Sequence, residues 1–460
     1  MSLSTLRLLL DAHRVKRQGP AAVAARQRTR LAEIVSFART HSPYYRKLYA
    51  RLTDRVEDPS LLPVTDKKRL MARFDDWATD REVSINRVRA FVDAPDLVGE
   101  RFLGRYTVAT TSGTTGTQGV FLIDDRSLAV AKAMAFRMLS AWLGAADVVA
   151  ILARGARLAM VNATGGHFAS AVAAVRLTRG RSKRVRVFPV RMPLHEMVTE
   201  LNRFCPAVLA PYASVGALLA AEQRAGRLHI DPVLVVLSAE GLTAAEYERV
   251  GEAFGAKVRD SYAATECPFL SYRCAHEWLH VNADWVALEP VDTEHRPVPP
   301  GEQSHTVLIS NLANRVQPIL RYDLGDGVLL RPDPCPCGDP LPAIRVQGRA
   351  ADVLTFPGRD DQGERVTIAP LLFGTVVDRV PGIELFQVVQ TTPITLCIRL
   401  RVADGADLER VWQALRDELT HLLSERGLEH VAVERAEEAP EQSPGGKYRE
   451  VIPLPEGQWS

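Results

Sequence analysis

At 460 residues, with 46% hydrophobic and 24% charged side chains, the chain has globular composition and room for two to four domains, which excludes a disordered or fibrous protein. Its 57 Lys plus Arg against 55 Asp plus Glu leave a formal charge of +2, too even a balance for nucleic acid or an anionic membrane to be the main partner. No apolar run reaches the roughly 18 to 20 residues of a spanning helix. The opening MSLSTLRLLL has no basic stretch ahead of its apolar run, and six cysteines are sparse for this length, so a cytoplasmic protein is expected, with thiols reduced or on a metal.

In chain order, the first stretch to about Asp80 has helical apolar spacing and the aromatic cluster HSPYYRKLY, and reads as a helical cap. From Tyr106 to Leu330, short apolar runs (TVATT, VFLID, DVVAIL, RLAMV, PVLVVLS, KVRDSY, TVLIS) alternate with helical segments such as SLAVAKAMAFRMLSAWL and TAAEYERVGEAF. That alternation predicts α/β layers around a parallel or mixed sheet. Beyond Gly348 the order becomes strand DVLTF, helix APLLFGTVVDRV, strands LFQVVQ and TLCIRLRVA, helix DLERVWQALRDELTHLLSERG and strand HVAVERAE, a small ferredoxin-like α+β unit. The expected division is therefore a large α/β domain over 1–348 and a small one over 349–460, with no internal repeat.

The sharpest local signal is Thr111, Ser112, Gly113, Thr114, Thr115 and Gly116, continued by Thr117, between two strand-like runs. Glycines let successive backbone N–H groups turn inward as an anion nest, and hydroxyls add donors without charge. No Lys-Ser/Thr pair follows Gly116 and the next run is strand-like, so this is no Walker loop; a plain polar turn is the alternative.

The string TSGTTGT closely resembles the phosphate-loop signature of the adenylate-forming superfamily, which includes acyl-CoA synthetases and luciferases. Further motifs follow in that family's order: Ser238-Ala239-Glu240-Gly241 on the adenine side, Tyr262-Ala263-Ala264-Thr265-Glu266, Arg321-Tyr322-Asp323-Leu324-Gly325-Asp326, Gly348-Arg349 at the hinge, and Gly445-Gly446-Lys447-Tyr448-Arg449 at the C-terminus. The early PYYRKL, the RYDLGD form and the Cys-x-Cys-Gly ahead of the hinge resemble the phenylacetate-CoA ligase-like branch.

The resemblance implies a large adenylation domain with a small C-terminal lid. Ala239, Glu240 and Tyr262 would meet adenine, which suits an aromatic face. Glu266 with Thr265 would hold Mg²⁺, a hard cation preferring carboxylate oxygen. Asp326 would accept from the ribose hydroxyls, and Arg349 would add a forked donor. Lys447 would be the catalytic lysine. His167, Phe168, Tyr212 and Ala263 are candidates for the acyl pocket. Two departures stand out: Gln118-Gly119 replaces the loop Pro-Lys, and Ala350-Ala351-Asp352 replaces the acidic pair after the hinge arginine.

Cys274, His276, His280, Cys335 and Cys337 form a separate constellation, since thiolates and imidazole suit tetrahedral Zn²⁺. Cys274, His280, Cys335 and Cys337 are chosen because His280 directly precedes a strand-like run; four protein ligands make a structural site. The basic stretch from Arg176 to Arg191 reads as a solvated strand flank. The expected activity is an AMP-forming ligase that activates a carboxylic acid, aromatic by resemblance to the branch, with ATP and Mg²⁺, and hands it to coenzyme A. The rivals are adenylation with an amine, carrier protein or small oxyanion, and a zinc-stabilised nucleotide-binding protein without catalysis. No nucleic acid or membrane partner is expected, and a homodimer is open.

Overall fold

The computed structural model describes residues 3–111, 118–164, 166–179, 183–358, 365–368, 370–403, 405–442 and 448–455, with 3, 4 and 371 in backbone only. The chain divides into two compact units, one of Met1–Pro189, Arg259–Leu324 and Val328–Val346, the other of Val190–Val258, Gly325–Gly327 and Gln347–Ser460. Among the described residues no single helix is long and apolar enough to cross a membrane.

The first unit opens with helices Leu3–Arg17, Pro20–His41 and Pro43–Leu48. Proline at the first helical position fits Pro20 and Pro43, and Ser42 caps the third helix by accepting from the Tyr45 N–H. Two of the three tyrosines of PYYRKLY become core: Tyr45 and Tyr49 are fully buried, and Tyr45 Oη and Trp77 Nε1 both donate to the Pro318 carbonyl, at 2.9 and 2.8 Å. Arg137 forks onto Asp284 at 2.7 and 2.9 Å, while Arg30 lies 3.4 Å from the Trp285 ring centre. Buried charges of this kind persist when every lone pair has a partner.

The α/β alternation is present. Strands Leu158–Asn162 and Val185–Pro189 run parallel across helix Ala169–Thr178, and in the second unit strands Val208–Pro211 and Leu234–Leu237 run parallel across helix Ala213–Arg224. Parallel partners need such a crossover, and the strands are correspondingly apolar. The run DVVAIL, expected as a strand, is instead part of helix Ala145–Ala153, none of whose residues is buried. Its start is fixed by the Asp147 carboxylate, which accepts the Gly144 N–H at 2.7 Å, and a capped, alanine-rich segment outside the sheet has no ladder to join.

Past Gly348 the expected elements appear as strands Leu354–Pro357, Ile383–Thr392, Thr395–Val402 and Ala432–Arg435 and helices Pro370–Val377 and Leu408–Ser424. Leu354–Pro357 pairs with Arg365–Ile368 in its own hairpin, so the four-stranded sheet is completed by Val451–Ile452, parallel to Ile383–Thr392. A separate core of Phe356, Phe373, Val388, Ile398, Leu415 and Leu419 holds this segment together.

Candidate functional site

In the first unit, strand Tyr106–Thr110 pairs antiparallel with Val120–Ile123 and brackets the hydroxyl-rich loop. Ser112, Gly113, Thr114, Thr115 and Gly116 lie outside the described residues. Thr111 closes the loop's base: its N–H donates to the Gly119 carbonyl at 3.0 Å, and its Oγ1 accepts the Gly119 N–H at 2.8 Å. Glycine is required at 119, because a Cβ there would stand 2.6 Å from the Phe121 ring. Thr110 also donates to the His167 carbonyl at 2.7 Å and bridges Phe168, so the loop strand runs into the segment that starts helix Ala169–Thr178. His167 is buried, its Nε2 has no hydrogen-bond partner among the described residues, and burial lowers its pKa.

Tyr262 to Glu266 follow strand Lys257–Asp260. Ala264 and Cys267 exchange backbone hydrogen bonds of 3.1 and 3.0 Å, a tight turn that leaves Tyr262 and Thr265 half-buried, Ala263 exposed and Glu266 8% exposed. Tyr322 Oη donates to Glu266 Oε1 at 2.9 Å, joining two motifs 56 residues apart. Burial, then the Glu266 charge, drives the Tyr322 hydroxyl well above its ordinary value, so it stays a donor. Tyr322 thus joins the candidates although the sequence reading does not single it out; its aromatic ring inside the RYDLGD string is the available signal.

In the second unit, Tyr212 bridges Ser238 and is buried, a core residue at the start of helix Ala213–Arg224. Ala239 adopts φ 71°, the left-handed region where a non-glycine residue costs about 1–3 kcal/mol. That turn aims the Glu240 carboxylate at two backbone donors, the N–H of Ser214 at 2.9 Å and the N–H of Tyr448. Lys447 lies outside the described residues, but its neighbours on the far side are held: Tyr448 Oη donates to the Phe386 carbonyl, and Arg449 Nε donates to Asp352 Oδ1 at 2.9 Å. Asp326 Oδ1 lies 3.7 Å from Arg349 Nε, and Ala350 N–H donates to the Gly325 carbonyl at 2.9 Å, so both nucleotide-side candidates stand together.

The predicted metal ligands converge most tightly. Strands Ser271–Arg273 and Leu279–Val281 form an antiparallel hairpin that carries Cys274 and His280, and Cys335 and Cys337 sit in a turn closed by Gly338 N–H on the Cys335 carbonyl. The ligand atoms of Cys274, His280, Cys335 and Cys337 all lie within 4.8 Å of one another. Cys274 and Cys335 sulfurs are 3.7 Å apart, and His280 Nε2 is 3.1 Å from Cys337 Sγ. His280 Nδ1 meets the Leu341 carbonyl at 2.9 Å, which assigns the proton to Nδ1 and leaves Nε2 to ligate. Burial, then the Cys335 and Cys274 thiols, pushes Cys337 up to about 12, a crowding that a cation would reverse. Lys16 and Tyr272 both donate to Asp339 Oδ2 at 2.6 Å beside this turn.

No family model matches the chain and no curated relative does. Among solved structures it is similar to 2-hydroxyisobutyryl-CoA ligase in the postadenylation state, with 21% identity, 95% of this chain and 90% of that chain covered, and a TM-score of 0.65. A second structure of that ligase, with 2-HIB-AMP, gives 22% identity, the same coverage and 0.64. Anthranilate CoA ligase in complex with anthranoyl-AMP gives 17% identity over 74% of this chain and 65% of that chain, at 0.51. The chain thus has the two-domain fold of adenylate-forming acyl-CoA ligases.

Proposed function

We propose that the chain is an AMP-forming acid ligase. A substrate carboxylate attacks the α-phosphorus of ATP, pyrophosphate leaves, and the acyl-adenylate is passed to the thiol of coenzyme A. The observation that carries this reading is the Glu266–Tyr322 hydrogen bond, which unites two of the ordered motifs on a ligase-like fold. Tyr262 offers a face for adenine, Asp326 and Arg349 serve the ribose and phosphate side, and Glu266 with Thr265 would hold Mg²⁺. Bound there, Mg²⁺ would offset phosphate charge as pyrophosphate departs. The residue ranges 1–348 and 349–460 serve as adenylation domain and lid, the latter carrying Lys447. Zn²⁺ on Cys274, His280, Cys335 and Cys337 fills four protein positions and is structural.

Acid-dependent exchange of labelled pyrophosphate into ATP is the direct test, followed by mass analysis of products with and without coenzyme A. Release of ADP and orthophosphate sinks the reading, and an acid-amine product relocates it to another acceptor. Lys447→Ala is expected to lower adenylation on the order of 10²- to 10³-fold, the size of a lost oxyanion donor, while prepared acyl-adenylate still reacts with coenzyme A near the normal rate. Equal loss in both half-reactions would return Lys447 to a general structural role.

A further inference from the structure

Arg321, the residue ahead of Tyr322, takes φ 43°, in the left-handed region where a non-glycine side chain is strained. Such a turn persists only where its surroundings over-determine it, and Arg321 is held at both backbone groups and by its side chain. Its N–H donates to Ser310 Oγ at 2.9 Å, and its carbonyl accepts the Thr65 N–H at 2.9 Å. Its guanidinium donates to the Leu62 carbonyl at 2.7 Å and to Glu289 Oε1 at 3.3 Å.

The arrangement is a poor source of stability. The Arg321 and Glu289 side chains are only 12% and 14% exposed, yet Glu289 Oε2 has no hydrogen-bond partner among the described residues. Burial outweighs the attraction of Arg321, and with Asp58 nearby it pushes the Glu289 carboxyl up to about 6. A buried ion pair left half satisfied contributes little to folding, so a strained backbone tied to one points to a demand on geometry.

What the turn fixes is Tyr322. Thr65, fully buried, bridges Tyr322 on one side: its carbonyl accepts the Asp323 N–H at 2.8 Å, and its Oγ1 donates to the Leu320 carbonyl at 2.9 Å. On the other side Tyr322 pairs with Ile309 in strand Thr306–Asn311. The same strand holds the partner, since Asn311 Nδ2 donates to the Glu266 carbonyl at 3.0 Å. Relaxing Arg321 to a negative φ would re-aim the backbone on which Tyr322 stands and draw Oη away from Glu266. We infer that Arg321 is a positioning residue: the Leu62 and Glu289 anchors hold its left-handed turn, the turn aims Tyr322 Oη at Glu266, and Glu266 is thereby set to meet the Mg²⁺ of bound ATP. This deepens the adenylation reading above and rests on it.

Calorimetric titration of the full chain with ATP, at limiting and at saturating Mg²⁺, reads the metal step apart from the chemistry. Tyr322→Phe removes the donor to Glu266, and Arg321→Gln removes both anchors of the turn; each should raise the Mg²⁺ needed for half-maximal ATP binding about tenfold, the usual cost of losing a partner of a metal ligand. At saturating Mg²⁺ the ATP affinity of either variant should return to within about threefold of wild type, since the nucleotide contacts themselves are untouched. In the Tyr322→Phe background, Arg321→Gln should add less than about twofold, because both changes act through one contact. Urea unfolding checks that each variant is folded. If Arg321→Gln leaves Glu289 unpaired and does not fold, the neutral double variant Arg321→Gln, Glu289→Gln takes its place with the same expectations; failure of both to fold would make Arg321 structural and overturn the assignment. An unchanged Mg²⁺ requirement, an affinity loss equal at both Mg²⁺ levels, or additive losses would also overturn it, with adenylation still standing on pyrophosphate exchange. A wild type that shows the coupling but no acid-dependent exchange would overturn adenylation and leave the positioning role in place, and one that binds no ATP at saturating Mg²⁺ would overturn both.

Discussion

Two clusters of acidic groups, one in each unit, face the same problem of like-charge crowding and solve it differently. In the first unit, Cys274, Cys335 and Cys337 surround His280, and soft sulfur and imidazole nitrogen within 4.8 Å call for a cation. In the second, Thr243 Oγ1 lies 2.9 Å from Glu246 Oε2 and 2.7 Å from Asp378 Oδ1. One hydroxyl carries one proton, so it can donate fully to only one of the two carboxylates. Burial accordingly raises both Glu246 and Asp378, and Glu450, near Glu246, Glu240 and Asp378, is pushed up to about 8. The opposing cation is Arg249, 3.8 Å from Asp378. Donor chemistry separates the two: sulfur and imidazole nitrogen in the first suit a metal ion, and buried carboxylates in the second favour their protonated forms.

Breaking the first cluster should have the largest effect. Cys335→Ser removes one of four ligands; bound zinc, measured on freshly reduced protein, should fall from about one per chain to near zero. Structural zinc contributes directly to folding, so the unfolding temperature should drop on the order of 10 °C, equivalent to about 3 kcal/mol in a unit of this size. Zinc content unchanged by the substitution would remove Cys335 from the ligand set.

Glu240, whose carboxylate accepts the Tyr448 N–H, connects the second cluster to the residue after Lys447, the proposed catalytic lysine. Glu240→Ala removes a charged acceptor from two backbone donors, worth about 1.5–3 kcal/mol, so adenylation should slow about tenfold or more. Under that proposal Glu240 is a positioning residue. In a Lys447→Ala background the same change should then have little further effect on adenylation. Additive losses in the double variant would mean that Glu240 acts elsewhere.

The two clusters also differ in how far the sequence discloses them. Cys335 and Cys337 carry a spacing that already restricts the chemistry, and the hairpin Ser271–Val281 brings Cys274 and His280 to the turn that holds them. Glu246, Asp378 and Glu450 are ordinary acids in three distant segments; only the fold brings them together, and no local pattern marks them. The ordered motifs announced the ligase-like fold, but the Glu266–Tyr322 contact depends on the pairing of strand Tyr322–Asp323 with Thr306–Asn311, a tertiary fact. DVVAIL misled for the converse reason: a short apolar run fits strand or helix, and the Gly144–Asp147 cap decided.

The smallest expected effect tests the proton side of the comparison through pH. Glu450 is faced by Glu240, Glu246 and Asp378, with the Tyr448 hydroxyl close by, Arg249 beside Asp378 and Arg401 near Tyr448. Its folded pKa of about 8 stands above the ordinary 4.5, so between those values the folded protein keeps a proton that the unfolded chain has released. At this group the native state then binds more protons, and its contribution to stability falls as pH rises through that window. Glu450→Gln cannot ionise, so its stability should match wild type near pH 4.5 and exceed it at pH 8.5. Glu246 and Asp378 are shifted in the same direction, so the variant's slope should flatten without vanishing. Urea midpoints at pH 4.5, 6.5 and 8.5 measure this. A variant slope as steep as wild type would show that the second cluster does not hold the extra proton.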